Sequence, residues 1–165
     1  MGLFSKIKNF VTGGAAEVTI TFDQPIVDGV SPINATVTAV AKAECKIKKV
    51  YFEIKGEETY VEQVTDTTSD DDSPRTNTRD ERRNEIHHRK ELTLAENVIL
   101  NNGEEKSWEA TFELPQNAPA TYHGEEVFFK WEVDAGLDMP GIDPSSGWVE
   151  IIVAKEMNYT LDQVQ

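Results

Sequence analysis

Apolar and polar residues alternate along most of the chain, which is the pattern of strands that bury one face. Val18, Ile20 and Phe22 alternate with polar neighbours, and a strand of small residues follows at 35–41. The same period of two returns at 50–54, 108–114, 129–135 and 148–153, with further apolar residues between 86 and 100. About seven strands with turn signals between them predict an all-β fold, an antiparallel β-sandwich of Ig-like dimensions.

Turns rich in glycine and proline separate the predicted strands. Asn101-Asn102-Gly103 predicts a hairpin turn into the strand at Trp108, and Gly56 predicts a turn or bulge in its own strand. Pro115 and Pro119 remove backbone donors and hold the preceding residues extended, so they begin a shaped connection. The predicted core is Val18, Ile20, Phe22, Val37, Phe52, Ile54, Trp108, Phe112, Phe129, Trp131, Val133 and Ile151.

The N-terminus has helical spacing instead. Its apolar residues predict a short amphipathic helix over 3–11, which Gly13-Gly14 ends. A helix of about nine residues is marginal alone in water, so it needs a surface to lie on. That surface is its own sheet, a second copy, a partner groove or a membrane interface. Docking on its own domain is the favoured alternative, and peripheral membrane contact is the least favoured.

Residues 65–85 contain no aliphatic or aromatic side chain and predict a disordered charged loop. The segment begins with aspartates and ends with arginines. It lacks the glycine and glutamate of a calcium-binding EF-hand, and acidic residues interrupt its arginines, so a solvated loop is favoured over a calcium or anion site. The expected domain plan is a helix and glycine linker at 1–14, one sandwich at 15–157 and a tail at 158–165.

Length and charge narrow the class of protein. A chain of 165 residues with 38% hydrophobic residues can bury one core. Its formal net charge of −14 argues against nucleic-acid binding and against adsorption to anionic lipid. Cys45 is the single cysteine and cannot form an internal disulfide. No apolar run approaches the roughly 20 residues of a membrane helix, and no export signal opens the chain, so we expect a cytoplasmic protein.

The residue pattern contains no recognisable catalytic or cofactor motif. His87 and His88 are adjacent, so in a regular strand they point to opposite faces and do not chelate one metal as a pair. His123 is distant in sequence. Nucleophile-elbow, Walker and dinucleotide-binding glycine motifs are also missing. We therefore expect no enzyme activity, no cofactor and no metal site.

The landmarks of region 112–146 occur in the order of a known fold. They are Leu114-Pro115, Pro119, Tyr122-His123-Gly124, the run from Trp131 to Asp138, and Asp143-Pro144-Ser145. In this order they resemble the second half of an arrestin N-terminal domain. The opening, GLFSKIKNFVTGGAAEVTI, is similar to the start of the bacterial sporulation-control branch of that superfamily. The resemblance covers most of residues 3–155 apart from 65–85 and implies an arrestin-type sandwich, although such motifs specify a fold better than an activity.

The resemblance implies a non-enzymatic adaptor, because arrestin-like proteins bind tails, membrane proteins or trafficking partners. They usually have two sandwiches in tandem, whereas this chain has room for one, so the second is absent, supplied by another copy or left on a partner. We expect a protein-interaction or regulatory module, sporulation-control-like, whose partner is another protein or a second copy in a homodimer. The hypothetical contact residues are Leu3, Phe4, Ile7 and Phe10 on the helix and Lys46 and Lys48 on a strand.

A second function remains open at this point. A carbohydrate- or calcium-binding sandwich would use Trp148, Tyr122 and the acidic corner at 138–146. Lys46 and Lys48 also have a simpler interpretation, since lysines on an exposed strand commonly serve solubility or edge protection.

Overall fold

The computed structural model describes residues 14–24, 26–69 and 74–155, and these residues form two β-sheets. Seven of the described strands have five residues or more, and two have only two residues. The predicted sandwich of about seven strands is therefore confirmed. In chain order the strands are β1 (Ala16–Phe22), β2 (Ile26–Val27), β3 (Ile33–Ala41), β4 (Cys45–Thr68), β5 (Arg75–Leu100), β6 (Glu105–Phe112), β7 (Tyr122–His123), β8 (Val127–Asp138) and β9 (Val149–Val153).

The two sheets differ in size. The small sheet has the order β1-β3-β6, and the large sheet has the order β2-β9-β8-β4-β5, with β7 paired to β8. Neighbouring strands are antiparallel except β2 and β9, which are parallel. The described residues include no helix that could cross a membrane. The predicted N-terminal helix and the tail at 158–165 lie outside the described residues.

The core lies between the sheets and is built from the alternating inward residues. Ten of the twelve predicted core residues are buried. The other two, Phe22 and Trp108, are partly buried and pack against the same cluster. Phe52 on β4 and Phe112 on β6 join the two sheets, with ring centroids 5.0 Å apart. The period of two in the sequence therefore identifies the buried face correctly.

The turn at Asn101-Asn102-Gly103 exists, but the predicted hairpin is wrong. Gly103 has a φ of +82°, which favours glycine at this turn. The strand before the turn, β5, belongs to the large sheet, whereas β6 after it belongs to the small sheet. The turn therefore passes the chain from one sheet to the other, and the Gly103 N–H donates to the carbonyl of Ala41 at 2.8 Å.

The prediction of a disordered loop at 65–85 is wrong for residues 65–68 and 75–85, which pair as strands. Their side chains are charged or polar and exposed, so burial does not hold them together. Backbone pairing along the ladder joins them, and cross-strand ion pairs add to it, because Arg79 contacts Asp66 and Arg83 contacts Glu62. The segment contains both acidic and basic residues, which suggested a solvated loop. In the structure, residues of opposite charge face one another across the two exposed strands.

Candidate functional site

The inner face of the large sheet extends beyond the small sheet. β4 has 24 residues and β5 has 26, whereas β1 has 7. β8 accompanies β4 only as far as Tyr60, which pairs with Val127. From residue 61 onward, β4 pairs with β5 alone among the described residues. We call this two-stranded part, residues 61–68 and 75–82, the ribbon.

A groove of about 490 Å³ opens where the ribbon leaves the sandwich. One side is the inner face of the large sheet, and the other is the connection between β6 and β7. The lining residues used below are Glu58, His87, His88, Pro119, Tyr122, Phe129 and Trp131. We call this feature the groove. It is largely apolar, and Tyr122 stands at its margin with 58% of its surface exposed.

The connection between β6 and β7, which forms one wall of the groove, is held by hydrogen bonds to β8 and to β9. The Trp131 indole N–H on β8 donates to the carbonyl of Pro119 at 2.9 Å. The backbone N–H of Thr121 donates to the carbonyl of Val153 on β9 at 2.9 Å, and the Val153 N–H donates to the Thr121 hydroxyl at 2.9 Å. The proline-rich segment is thus the shaped connection that its sequence predicts, and its shape is fixed by β8 and β9.

A β-bulge turns both adjacent histidines towards the groove. Gly56 pairs with His88, but the next residue of β4, Glu57, pairs with Ile86, so His87 is the extra residue. The His87 ring lies 5.9 Å from the Phe129 ring, and the His88 ring lies 5.7 Å from the Trp131 ring.

Phe129 and Trp131 are two residues apart on β8 and so share one face. The prediction that the histidines point to opposite faces is therefore wrong, because it assumed a regular strand. The predicted irregularity at Gly56 is confirmed as a bulge.

His88 is the more buried of the two histidines. Burial, together with the charge of Lys90, lowers its pKa and favours the neutral imidazole. Its Nε2 atom is buried and has no hydrogen-bond partner among the described residues. At such an atom a water molecule or a ligand group can supply the missing hydrogen bond.

His87 belongs to a cluster with two carboxylates. Its Nε2 lies 2.7 Å from a carboxylate oxygen of Glu58. Glu85 faces Glu58 directly across the ladder, and one ligand atom from each of the three residues lies within 4.8 Å of the others. These residue types can hold a divalent cation.

The outer face of the same sheet carries a closed charged network. Lys55 lies 3.0 Å from a carboxylate oxygen of Glu57 and 3.0 Å from one of Glu132. Its ammonium also lies 4.4 Å from the ring centroid of Trp148. The side chain of Lys55 is only 15% exposed, so its charge is satisfied within the fold and is not offered to a ligand.

Two buried side chains of a type that can act as a nucleophile, the Cys45 thiol and the Ser146 hydroxyl, make hydrogen bonds that stabilise the fold. The Cys45 thiol is buried, donates to backbone carbonyl oxygens, and has a pKa raised by burial, which disfavours the thiolate. The Ser146 hydroxyl contacts the Asp134 carboxylate at 3.0 Å and accepts the N–H of Ala135 at 3.1 Å. Neither contacts a histidine. Burial raises the pKa of Asp134, and hydrogen bonds from the hydroxyl groups partly oppose that shift.

No protein-family model matches the sequence. No curated protein matches it significantly. The comparison with solved structures does find the fold: Spo0M, a sporulation control protein from Bacillus subtilis, matches 87% of this chain at a TM-score of 0.61 and 23% identity.

The chain shares the fold of Spo0M. It spans about half of that protein, 51% of its length. At this identity the likeness concerns the fold, and the arrestin-like sandwich implied by the sequence landmarks is confirmed. In this chain those landmarks build the wall of the groove, because Pro119 and Trp131 are joined by a hydrogen bond.

Of the predicted contact residues, the structure describes Lys46 and Lys48, and neither lines the groove. Leu3, Phe4, Ile7 and Phe10 fall outside the described residues. Lys46 and Lys48 are exposed on β4, ten and eight residues before Gly56 at the histidine bulge, which is roughly 30 Å along a strand.

The residues of the second predicted function are also separated. Tyr122 lines the groove beside Trp131 on the inner face, whereas Trp148 packs on Lys55 on the outer face. The predicted shared site of Trp148 and Tyr122 is therefore wrong. Metal-type side chains of the described residues converge in a group of three at Glu58, and this group lies outside the 138–146 corner.

Sequence reasoning missed the groove and the glutamate–histidine cluster. The available signal was the pair His87-His88 opposite a mid-strand glycine, because a bulge at that glycine changes which residues share a face. Only the register of β4 against β5 shows that the extra residue is His87.

Proposed function

We propose that this chain is a non-enzymatic, arrestin-like interaction module with a regulatory role, and that it self-associates through the free edge of β5. Spo0M is named a sporulation control protein, which supports a regulatory role for a chain with its fold. A cytoplasmic location fits this role, since the one cysteine is a buried thiol that needs no oxidising compartment.

The observation that carries the proposal is the free edge of β5. This strand has 26 residues and pairs with β4 on one side, while its other side has no strand partner among the described residues. Such an edge offers a row of backbone N–H and C=O groups, and adding a strand to it is a common mode of protein recognition. A second copy in antiparallel orientation would satisfy both edges at once.

The side chains of β5 suit a partner that is itself charged. Residues 75–90 contain six Lys or Arg and three Asp or Glu, in a protein whose net charge is −14. Two exposed apolar residues, Ile86 and Ile99, interrupt the charged surface with 49% and 61% of their areas exposed. Opposite charges distributed along one strand allow two copies to place arginines against carboxylates, while the isoleucines gain burial.

Light scattering on the purified chain tests self-association directly. We expect a dimer mass for the wild type and a monomer mass for Ile86→Lys, because the new charge would be buried at the shared edge. Ile152→Lys is a matched control, since Ile152 is 47% exposed but lies on β9, an internal strand. This control should remain dimeric.

A wild type that stays monomeric across the concentration range would refute self-association. Deleting residues 1–12 separates the edge from the predicted helix. If that deletion gives a monomer while Ile86→Lys remains dimeric, the contact belongs to the N-terminus and the β5 proposal fails.

A further inference from the structure

Glu58, Glu85 and His87 form a cluster of metal-ligating side chains at the rim of the groove. We propose that this cluster binds one zinc-like divalent transition-metal ion, which the Spo0M likeness does not imply. The inference does not depend on the self-association proposed above, because each of the three side chains comes from the same hairpin of one chain.

The positions of the ligand atoms fit one ion after small movements. Two ligands about 2.1 Å from zinc at a tetrahedral angle are about 3.4 Å apart. The His87 Nε2 and the nearer Glu58 oxygen are 2.7 Å apart, and the three ligand atoms lie within 4.8 Å of one another. Side-chain rotations that move these atoms by about 1 Å would bring all three to within about 2.1 Å of one zinc ion. The side chains are free to make them, since His87 is 42% exposed and Glu58 is 34% exposed.

The charges of the cluster favour a bound cation. Glu58 and Glu85 are direct partners across the ladder, and like charges in that position are destabilising. Within the described part of the chain, neither carboxylate forms an ion pair with a lysine or arginine. Several other glutamates of the hairpin are paired with a cation, as Glu62 is with Arg83 and Glu53 is with Arg89. A divalent ion would replace this repulsion with attraction to both carboxylates.

The backbone bulge positions the third ligand, the imidazole of His87. His87 is the extra residue of the bulge, and it reaches Glu58 from the same side as Glu85. An imidazole nitrogen beside two carboxylate oxygens suits zinc, whereas calcium and magnesium prefer oxygen ligands alone. Three protein ligands leave a fourth position of a tetrahedron open for water or for a donor group in the groove.

Calorimetric titration of the chelator-treated full chain with zinc chloride tests the proposal. We expect one zinc ion per chain, and binding at least about tenfold weaker in His87→Ala and Glu85→Gln. Loss of outer-shell partners alone costs about 10- to 100-fold in metal affinity, so loss of a direct ligand should cost no less. Titration with calcium chloride should show much weaker binding.

His123 provides a matched control, because its Nε2 lies 3.2 Å from a carboxylate oxygen of Glu150 without a third metal-type ligand nearby among the described residues. His123→Ala should bind zinc as the wild type does. Cobalt(II) provides a second readout, since tetrahedral ligation gives visible absorption that His87→Ala should lack. No saturable zinc binding, unchanged binding by His87→Ala, or equal loss in His123→Ala would overturn the proposal.

Discussion

Replacing Gly56 by alanine tests whether the bulge is packed as tightly as the structure indicates. A Cβ atom at this position would lie 2.9 Å from Cη2 and from Cζ3 of Trp131, and 3.0 Å from Cζ of Phe129. Carbon atoms in good contact are about 3.5–4.0 Å apart. The Trp131 ring would therefore have to move by roughly 0.6–1 Å, and it is completely buried.

The free-energy cost of that movement has two parts. Overpacking a core with an extra carbon costs about 1–3 kcal/mol. Moving the indole also disturbs its 2.9 Å hydrogen bond to Pro119. Such a bond contributes about 1 kcal/mol to stability, and part of that contribution would be lost. Against this, alanine is favoured over glycine in a strand by about 0.5–1 kcal/mol. We expect Gly56→Ala to lower the free energy of unfolding by about 2 kcal/mol.

Urea unfolding followed by circular dichroism measures this change. With a slope of about 2 kcal/mol per molar urea, the midpoint should fall by about 1 M at unchanged slope. Gly14→Ala is the control, since a Cβ there would meet its nearest neighbour at 3.6 Å, an ordinary contact. It should change the free energy of unfolding by less than about 0.5 kcal/mol. A Gly56→Ala variant as stable as the wild type would show that Trp131 is not fixed by its wall.

Two further substitutions test charges inside the fold. Asp134 has a pKa raised above its usual 3.8, so the folded state binds its proton more tightly than the unfolded state. Its contribution to stability is therefore greatest at low pH and falls as the pH rises from about 3.8 through the folded-state pKa. Asp134→Asn should gain stability relative to the wild type over that window, as measured by urea unfolding between pH 3.5 and 7. Lys55→Met should destabilise by about 1–3 kcal/mol in the same assay, because it leaves Glu57 and Glu132 close together without their shared cation.

The exposed pair of Lys42 and Glu17, 3.8 Å apart, provides the control for Lys55. Lys42→Met should cost much less, since exposed ion pairs contribute about 0–1 kcal/mol. Equal effects of the two lysine substitutions would show that the Lys55 network is exposed in solution. A stability difference between Asp134→Asn and the wild type that does not change with pH would show that Asp134 does not titrate with a raised pKa.

The strands with a buried face were predictable, because burial leaves a period of two in the sequence. Val18, Ile20, Phe52 and Ile54 alternate with polar residues and are buried in the structure. The proline-rich connection was also predictable, since proline restricts the backbone locally. These features depend on residues that are neighbours in sequence.

The ribbon and the sheet change at Gly103 were not predictable in the same way. The ribbon has no hydrophobic face, and its order depends on contacts such as that of Arg79 with Asp66 across the hairpin. A turn sequence such as Asn102-Gly103 reverses the chain, but it does not determine whether the next strand returns to the same sheet. Both outcomes depend on partners that are distant in sequence.

The two histidines show why the candidate site was missed and why it is a good place to look for function. A packing role beside Trp131 would be served by an apolar side chain, yet His88 buries a ring nitrogen that has no hydrogen-bond partner among the described residues. The neighbouring bulge adds an extra residue, His87, which faces the same groove beside two opposed glutamates. The region 112–146 builds the wall of the groove, so it defines the fold, while the irregular residues of β5 opposite that wall carry the chemistry to be tested.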